Sequence, residues 1–156
     1  MQEMFTCMVE AKDVSLVDVY YDPAFVLTTD GQSQDLAAFR AGHERVYPTA
    51  ITYRVEYDED AWVESGNRLA GRLWITIGRP GESAQPIEVV FVATFREGRI
   101  LRLNELTWPD WSTAPALAPH AAVVSSVPRV VRIFPSVNRT PSAHRASTAP
   151  PPNCSA

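Results

Sequence analysis

The sequence predicts an α+β fold in which helices come first and a mostly antiparallel sheet follows. Apolar residues recur at helical spacing up to Pro48, and from Ile51 onward they alternate with polar residues, as they do in half-buried strands. Short turns separate the alternating runs, which is typical of neighbouring antiparallel strands. Helices that precede such a sheet are expected to cover one of its faces.

Two helical segments are expected before the first strand. Apolar residues at helical spacing, Met4 and Met8 among them, predict the first helix. Asp13 is a suitable N-cap for the second helix, which should end at Asp22-Pro23 because proline has no backbone N–H to donate. The first strand is then expected from Ala24 to Thr29.

A turn and a third helix are expected next. Asp30-Gly31 is a turn dipeptide, and either Ser33 or Asp35 marks the start of a helix that Pro48 ends. The apolar face of this helix, which should point into the sheet, is formed by Leu36, Phe39, His43, Val46 and Tyr47.

Four strands joined by short turns are expected after Pro48, over residues 51–57, 69–77, 87–95 and 100–108. The first of them is expected to resume through Trp62 and Val63, after an acidic run at Asp58–Asp60 that we interpret as a solvated bulge. Four successive strands with such turns form an antiparallel meander.

The charges divide the chain into two unlike parts. All 18 acidic residues lie between Glu3 and Asp110, whereas four of the 14 basic residues follow Trp111. Residues 1–112 therefore carry a net charge of −8, and residues 113–156 carry +4. The acidic excess argues against nucleic acid and against a membrane surface as partners, because both attract basic faces.

We expect one folded domain over residues 1–112 and a disordered tail over residues 113–156. The tail holds eight of the 13 prolines, and its apolar pieces, such as Val130–Phe134, are too short to offset the entropy of ordering. One alternative is a shifted reading frame, because a shifted frame in a gene of high GC content would give such a Pro/Ala/Arg/Ser mixture abruptly after the last strand. Thirteen of the 14 basic residues are Arg, which favours a bacterial gene of that kind. Another alternative is a peptide ligand for a partner groove.

No targeting segment or membrane span is expected. The first 15 residues contain Glu3, Glu10 and Asp13 and no basic segment before an apolar run, unlike a secretory signal. No run of 18 apolar residues occurs anywhere in the sequence. We therefore expect a cytoplasmic protein.

Four short segments carry a resemblance to a known family: Ala11-Lys12-Asp13-Val14, Tyr21-Asp22-Pro23-Ala24-Phe25-Val26, Gly42-His43-Glu44 and Phe95-Arg96-Glu97-Gly98-Arg99-Ile100. With the order of elements, they make residues 1–112 similar to the SnoaL-like branch of the nuclear-transport-factor-2-like superfamily. The resemblance implies a cystatin-like, cone-shaped α+β fold that binds small molecules. The superfamily includes isomerases, cyclases, hydratases, epoxide hydrolases and noncatalytic proteins, so the fold alone does not name a reaction.

The resemblance also allows individual branches to be tested. The steroid isomerases need a tyrosine, a carboxylate base and a neutral acid at places that fall near Phe5, Thr28 and Ala93 of this chain, and none of these can serve. The epoxide hydrolases use an Arg-x-Asp sequence, which this chain lacks. Similarity to polyketide cyclases implies an acid–base carboxylate or histidine inside an apolar cavity, for which candidates are present.

Three residues are candidates for acid–base catalysis. His43 titrates near neutral pH, although a histidine on a buried helix face is more often a packing residue. Glu105 lies among apolar residues, where burial raises the pKa of a carboxyl group, unless Arg72 or Arg102 pairs with it. Asp30 is a conceivable displaced base, although Asp-Gly turns favour aspartate for backbone reasons.

A further set of side chains is expected to line an apolar cavity, although core packing explains most of the aromatic ones equally well: Tyr47, Tyr53, Arg72, Trp74, Thr76 and Trp108. No metal and no cofactor are expected, because the sequence has no His-x-x-x-His pair and no glycine-rich phosphate loop.

Two classes of function remain open. The first is a cofactor-free isomerase, cyclase or hydrolase that acts on a small apolar organic ligand. The second is a noncatalytic ligand-binding or dimerisation module of the same fold. In either class we expect a homodimer formed through the outer face of the meander.

Overall fold

The chain begins with short helical turns that differ in type. In the computed structural model, which describes residues 1–120, they are α1 (Gln2–Met4), a π-helical turn (Phe5–Glu10), a 3-10 turn (Val14–Leu16) and α2 (Val17–Tyr20). The Asp13 carboxylate accepts a hydrogen bond of 3.0 Å from the N–H of Ser15, which confirms Asp13 as the cap that precedes the second helical segment. None of the helices in residues 1–120 is long and apolar enough to cross a membrane.

Seven strands and a third helix follow: β1 (Tyr21–Thr29), β2 (Gln32–Asp35), α3 (Leu36–Val46), β3 (Thr52–Tyr57), β4 (Val63–Ser65), β5 (Arg68–Gly78), β6 (Gln85–Arg96) and β7 (Arg99–Trp108). The Asp35 carboxylate accepts a hydrogen bond of 2.9 Å from the N–H of Ala38 and caps α3. Ser33 belongs instead to β2, a short strand that the sequence did not predict.

The strands form one curved, unclosed sheet in the order β2-β1-β7-β6-β5-β3, with β4 also paired to β5. The predicted meander is confirmed as β3, β5, β6 and β7, each antiparallel to the next. β1 and β7 are parallel, and this pairing joins the first strand of the sheet to the last. It left no local pattern in the sequence, because the two strands are far apart along the chain.

Alternation along β5 shows which face of the sheet is buried. Leu69, Gly71, Leu73, Ile75 and Ile77 are buried, and the residues between them are partly exposed. Successive strand residues point to opposite faces, so the buried set defines what we call the inner face, on which the helices pack, and the others lie on the outer face.

The acidic run after β3 is only partly a solvated bulge. Glu59 and Asp60 are exposed and belong to a 3-10 turn (Glu59–Ala61). Asp58 is buried, and its carboxylate pairs with the guanidinium of Arg72. The first residue of the run is therefore part of the fold.

Packing continues beyond the expected boundary at Ser112. Two further 3-10 turns span Trp111–Thr113 and Pro115–His120. Ala114, between the two turns, and Ala116, in the second, are buried against the main core. Residues 121–156, on which most of our expectations for the tail fall, lie outside the described residues.

Candidate functional site

Six rings from β1, α3 and β3 form a continuous group on the inner face, with neighbouring ring centroids 4.2 to 6.1 Å apart. We call it the aromatic cluster, and its members are Tyr21, Phe25, Phe39, His43, Tyr47 and Tyr53. Two of them, Phe39 and His43, come from α3, and Tyr47, the C-cap residue directly after α3, continues their spacing of four residues. Side chains four apart stand on the same side of a helix. The helical periodicity of the sequence predicted this shared side.

The His43 ring has one nitrogen whose role is fixed by its partner. Nδ1 lies 2.9 Å from the carbonyl oxygen of Phe39, which can only accept a hydrogen bond, so Nδ1 carries the proton and Nε2 keeps its lone pair. Burial lowers the pKa of His43, and the hydrogen bond to Phe39 opposes this only in part. The imidazole is therefore neutral at pH 7, and Nε2 can act as a base.

Tyr47 and Tyr53 follow His43 in the cluster. Tyr47 is 6% exposed, and its hydroxyl has no hydrogen-bond partner within the described part of the chain. Burial raises the pKa of both phenols, that of Tyr53 to about 12, so both keep their protons at neutral pH.

Glu105 points to the inner face from β7, where it is paired in register with Phe91 of β6. The Thr29 hydroxyl donates a hydrogen bond of 2.7 Å to its Oε1. No Arg or Lys of residues 1–120 forms an ion pair with Glu105.

The two arginines that were alternative partners of Glu105 have other contacts. Arg72 pairs with Asp58 and with Glu88, and Arg102 donates a hydrogen bond of 2.9 Å to the carbonyl oxygen of Ala24. The ion-pair interpretation of Glu105 is therefore wrong. It failed because Arg72 is on the outer face of the sheet while Glu105 is on the inner face.

Burial dominates the titration of Glu105 and raises the pKa of its carboxyl group. The hydrogen bond from Thr29 acts in the opposite direction, the negative charge of Asp30 raises the pKa further, and hydrogen bonding by Trp111 lowers it. The net shift is upward, so this carboxyl group holds its proton to a higher pH than an exposed glutamate does.

Tyr21 packs against Phe39, the ring that also contacts His43, and its phenol is close enough to Glu105 to be affected by that carboxylate's charge. Its ring centroid lies 4.8 Å from that of Phe39, which in turn is 4.2 Å from His43. Burial raises the pKa of the Tyr21 phenol, and the charge of Glu105 adds to this. The sequence did not identify Tyr21 as a site residue, because its position beside β7 depends on the parallel pairing of β1.

Asp30 has a structural role in the turn after β1. Its carboxylate accepts hydrogen bonds from the N–H of Thr107 at 2.9 Å and from the Thr107 hydroxyl at 2.5 Å. These contacts hold the turn against β7. They occupy both carboxylate oxygens of Asp30, the residue that the sequence suggested as a displaced base.

Four predicted ligand contacts do not lie on the inner face. Arg72, Trp74 and Thr76 occupy the outer positions of β5, with the guanidinium carbon of Arg72 5.3 Å from the Trp74 ring centroid. Trp108 is 77% exposed and lies in the same cross-strand row, since both tryptophans are paired in register with Glu88. The expectation that these four residues line an interior cavity is wrong, because alternation along β5 and β7 places them on the outer face.

An open depression of about 640 Å³ lies elsewhere on the domain and includes none of the predicted site residues. Glu3, Glu59 and Glu64 line it together with Trp62, so its wall is acidic and suits an apolar ligand poorly. Within residues 1–120, no group of three or more His, Cys, Asp or Glu side chains is placed to hold a metal ion.

Comparison with solved structures shows the same fold in several proteins. An LEH-like epoxide hydrolase from M. tuberculosis is 15% identical over 68% of this chain and 78% of that one, with a TM-score of 0.58. AclR from Streptomyces galilaeus, a proposed hydroxylase, is 15% identical over 82% of both chains, with a TM-score of 0.58. IdmH from Streptomyces antibioticus, a proposed polyketide cyclase, is 14% identical over 69% of this chain and 91% of that one, with a TM-score of 0.52.

At this level of identity, the solved structures show the fold and not the reaction. No curated protein matches the chain in sequence. Residues 1–103 match the family model of the SnoaL-like domain, which is more than half of the chain. The chain therefore belongs to the SnoaL-like domain family.

Proposed function

We propose that the inner face binds a small, largely apolar organic molecule between the aromatic cluster and Glu105. The observation that supports this proposal is the half-buried Glu105 side chain, whose carboxyl group has the Thr29 hydroxyl and Trp111 as hydrogen-bond partners and forms no ion pair with the described residues. A carboxyl group kept only for stability is normally paired with a cation when it is buried. A buried group with a perturbed pKa is instead typical of sites that bind or transform a ligand.

The chemistry that fits this arrangement is acid–base catalysis without a cofactor, as in an isomerase, cyclase or hydrolase. Nε2 of His43 supplies a neutral base, and Glu105 supplies an acid whose pKa is raised toward neutrality. Burial lowers the pKa of His43 and raises that of Glu105, so it favours the neutral form of each group, the form that a base and an acid respectively need.

A noncatalytic module is the second candidate. It is favoured by the packing of Trp62 and Phe91 on the inner face, at the end of the sheet where Phe91 lies opposite Glu105. The Trp62 and Phe91 rings are 5.5 Å apart on the inner face, and a Cβ added at Gly71 would meet them at 3.3 and 3.0 Å. This end of the inner face is filled by the protein's own rings. A ligand is thus confined to the neighbourhood of His43, where binding without turnover is equally compatible with the geometry.

Ligand screening by thermal shift on the full chain tests the binding proposal. A compound that binds only the folded state raises Tm, whether or not it is turned over. We expect uncharged aromatic compounds to raise Tm and charged polar compounds to leave it unchanged. A screen in which no apolar compound raises Tm would contradict the proposal.

The variants His43→Gln and Glu105→Gln separate the two candidate functions. If the protein is an enzyme, each variant should lower kcat by about 100-fold or more, the usual contribution of a general acid or base. Glu44→Gln, an exposed change on the same helix as His43, is the control and should leave kcat unchanged. Unchanged kcat in both test variants would remove these residues from the mechanism.

We further propose that two copies associate through the outer face of the meander. Val90, Val92, Leu106 and Trp108 are exposed there on the neighbouring strands β6 and β7, with Leu106 67% exposed. Their exposed fractions run from 45% to 77%, and they are neighbours across the β6–β7 pairing. A contiguous exposed apolar patch of this kind is typical of a surface that contacts another protein.

The charges in this outer patch suit a second copy. Arg72 and Glu88 lie side by side in it, with nitrogen and oxygen 3.5 Å apart, so a twofold axis can bring the arginine of each copy to the glutamate of the other. We expect sedimentation velocity to give a dimer for the wild type and a monomer for Leu106→Asp. Val19→Asp changes a similarly exposed apolar residue on α2 and should remain dimeric. A monomeric wild type would contradict this proposal.

A further inference from the structure

Thr29 lies directly opposite Glu105 in the parallel pairing of β1 and β7. Its hydroxyl donates a hydrogen bond of 2.7 Å to Oε1 of the glutamate, and within the described part of the chain the Thr29 side chain forms no other hydrogen bond. Because the hydroxyl proton has no second acceptor there, it points at Oε1, and the proton of the neutral carboxyl group is on Oε2. This contact therefore fixes which oxygen of Glu105 carries the acid proton.

The backbone around this contact is also fixed. The N–H of Asp30 donates a hydrogen bond to the carbonyl oxygen of Glu105 at 3.1 Å, and the Asp30 carboxylate accepts one from the N–H of Thr107 at 2.9 Å. Threonine is branched at Cβ, which restricts the rotation of its side chain. The Thr29 hydroxyl is therefore held in place before any ligand binds.

Few groups near Glu105 can stabilise a negative charge on it. Among the described residues, the titratable groups linked to it by charge are Tyr21, which is neutral at pH 7, and Asp30, whose own negative charge opposes a second one. The hydrogen-bond donors are the Thr29 hydroxyl and the indole of Trp111, from the turn after β7. Hydrogen bonds to a charged acceptor are about twice as strong as those to a neutral one, so these donors favour the carboxylate over the acid.

We propose that Thr29 is a positioning residue for proton transfer: its hydroxyl holds Glu105 in one orientation and stabilises the carboxylate that remains after the carboxyl group has protonated the ligand. In this step the O–H bond at Oε2 breaks, its electron pair stays on the carboxylate, and the proton bonds to a basic atom of the ligand. The inference rests on the ligand site proposed above. Glu105 lies beyond the residues that match the family model, so membership of the family does not imply this role.

The titration of Glu105 in variants of Thr29 tests this role. Thr29→Val keeps the shape of the side chain and removes the hydroxyl. The carboxylate then loses a donor, so the midpoint of Glu105 should rise by about one pH unit. Thr29→Ala removes the same hydroxyl by a different change and should shift the midpoint in the same direction. Thr29→Ser restores the hydroxyl and should titrate close to the wild type.

Thr28→Val is the matched control, because it makes the same change one residue earlier on β1. Adjacent strand residues point to opposite faces, and the Thr28 hydroxyl lies 2.9 Å from that of Ser33 on the exposed surface. This variant should leave the midpoint of Glu105 unchanged. The measurement is ¹³C NMR of the side-chain carboxyl carbons in the full chain between pH 3 and pH 8, with Glu105→Gln to assign the signal.

The outcomes separate this inference from the function on which it rests. A midpoint that stays at the wild-type value in Thr29→Val and Thr29→Ala, or a rise that Thr29→Ser or Thr28→Val shares, overturns the role of Thr29 and leaves the ligand site standing. A wild-type midpoint at or below 4.5 contradicts the ligand site itself, and the role of Thr29 falls with it.

Discussion

The protonation states of His43 and Glu105 are set by burial, which hydrogen bonds to each residue oppose only in part. The Phe39 carbonyl fixes the proton of His43 on Nδ1, and burial disfavours a second proton. The Thr29 hydroxyl satisfies one oxygen of Glu105, but burial still favours the protonated carboxyl group. Neither residue type is unusual, so the surroundings rather than the residue types create the candidate acid–base pair.

The lowered pKa of His43 predicts how stability depends on pH. In the unfolded chain histidine has a pKa of about 6.5, so below that pH the unfolded state binds more protons than the folded state at this residue. The wild type should therefore lose stability relative to His43→Gln as the pH falls from 7.5 to 5.5. Chemical unfolding of both proteins across this range measures the difference. His120 and His144 are common to both, so a difference that does not change with pH would contradict the burial of His43.

At the scale of elements, β5 separates the two faces of the sheet by simple alternation. Its inner positions are apolar and include Gly71, which leaves room for the Trp62 and Phe91 rings. Its outer positions carry Arg72 and Trp74. One strand thus positions both the packed interior and the exposed patch that we assign to a second copy.

Gly71→Ala tests this packing. The added methyl group would meet the Phe91 ring at 3.0 Å, so we expect a loss of about 1–3 kcal/mol in the free energy of unfolding. Gly42→Ala in α3, where nothing lies within 4 Å, should instead stabilise the protein by about 0.5–1 kcal/mol. Urea unfolding of both variants provides the measurement. An unchanged free energy of unfolding in Gly71→Ala would show that the inner face has room for a methyl group at this position.

Ala114→Asp tests whether the segment after β7 belongs to the fold. Ala114 is 1% exposed, and a carboxylate placed there would lose its hydration without gaining a cation or a hydrogen-bond donor that evolved to pair with it. We expect a loss of about 2 kcal/mol or more in the free energy of unfolding. The matched change at its exposed neighbour, Thr113→Asp, should cost much less. Equal effects of the two variants would contradict the packing of this segment.

Local sequence patterns predicted the elements better than they predicted the contacts between them. The period of apolar residues was sufficient for α3 and for the four-stranded meander. Capping chemistry identified Asp13, and it gave Asp35 as one of two alternatives for the start of α3. The parallel pair of β1 and β7 has no such local signal, and it alone brings Thr29 to Glu105. His43 could therefore be placed on a buried face from sequence, whereas the partner of Glu105 could not.

For the whole molecule, the two faces of the sheet suit two different tasks. The inner face combines rings, a neutral imidazole and an uncompensated carboxyl group, and we assign it to a small ligand. The outer face combines exposed apolar side chains with a pair of opposite charges, and we assign it to a second copy. The net charge of −8 over residues 1–112 indicated which partners to exclude, but it could not distinguish the faces.

The protonation of Glu105 is the most direct test of the ligand site, because an ion-paired carboxylate would make this residue structural. We propose to follow the ¹³C resonances of glutamate side-chain carboxyl carbons in the full chain between pH 3 and pH 8, with Glu105→Gln to assign the signal. The account predicts a midpoint for Glu105 clearly above the ordinary glutamate pKa of 4.5. A midpoint at or below 4.5 would show that the surroundings stabilise the charged carboxylate, and it would contradict the proposed site.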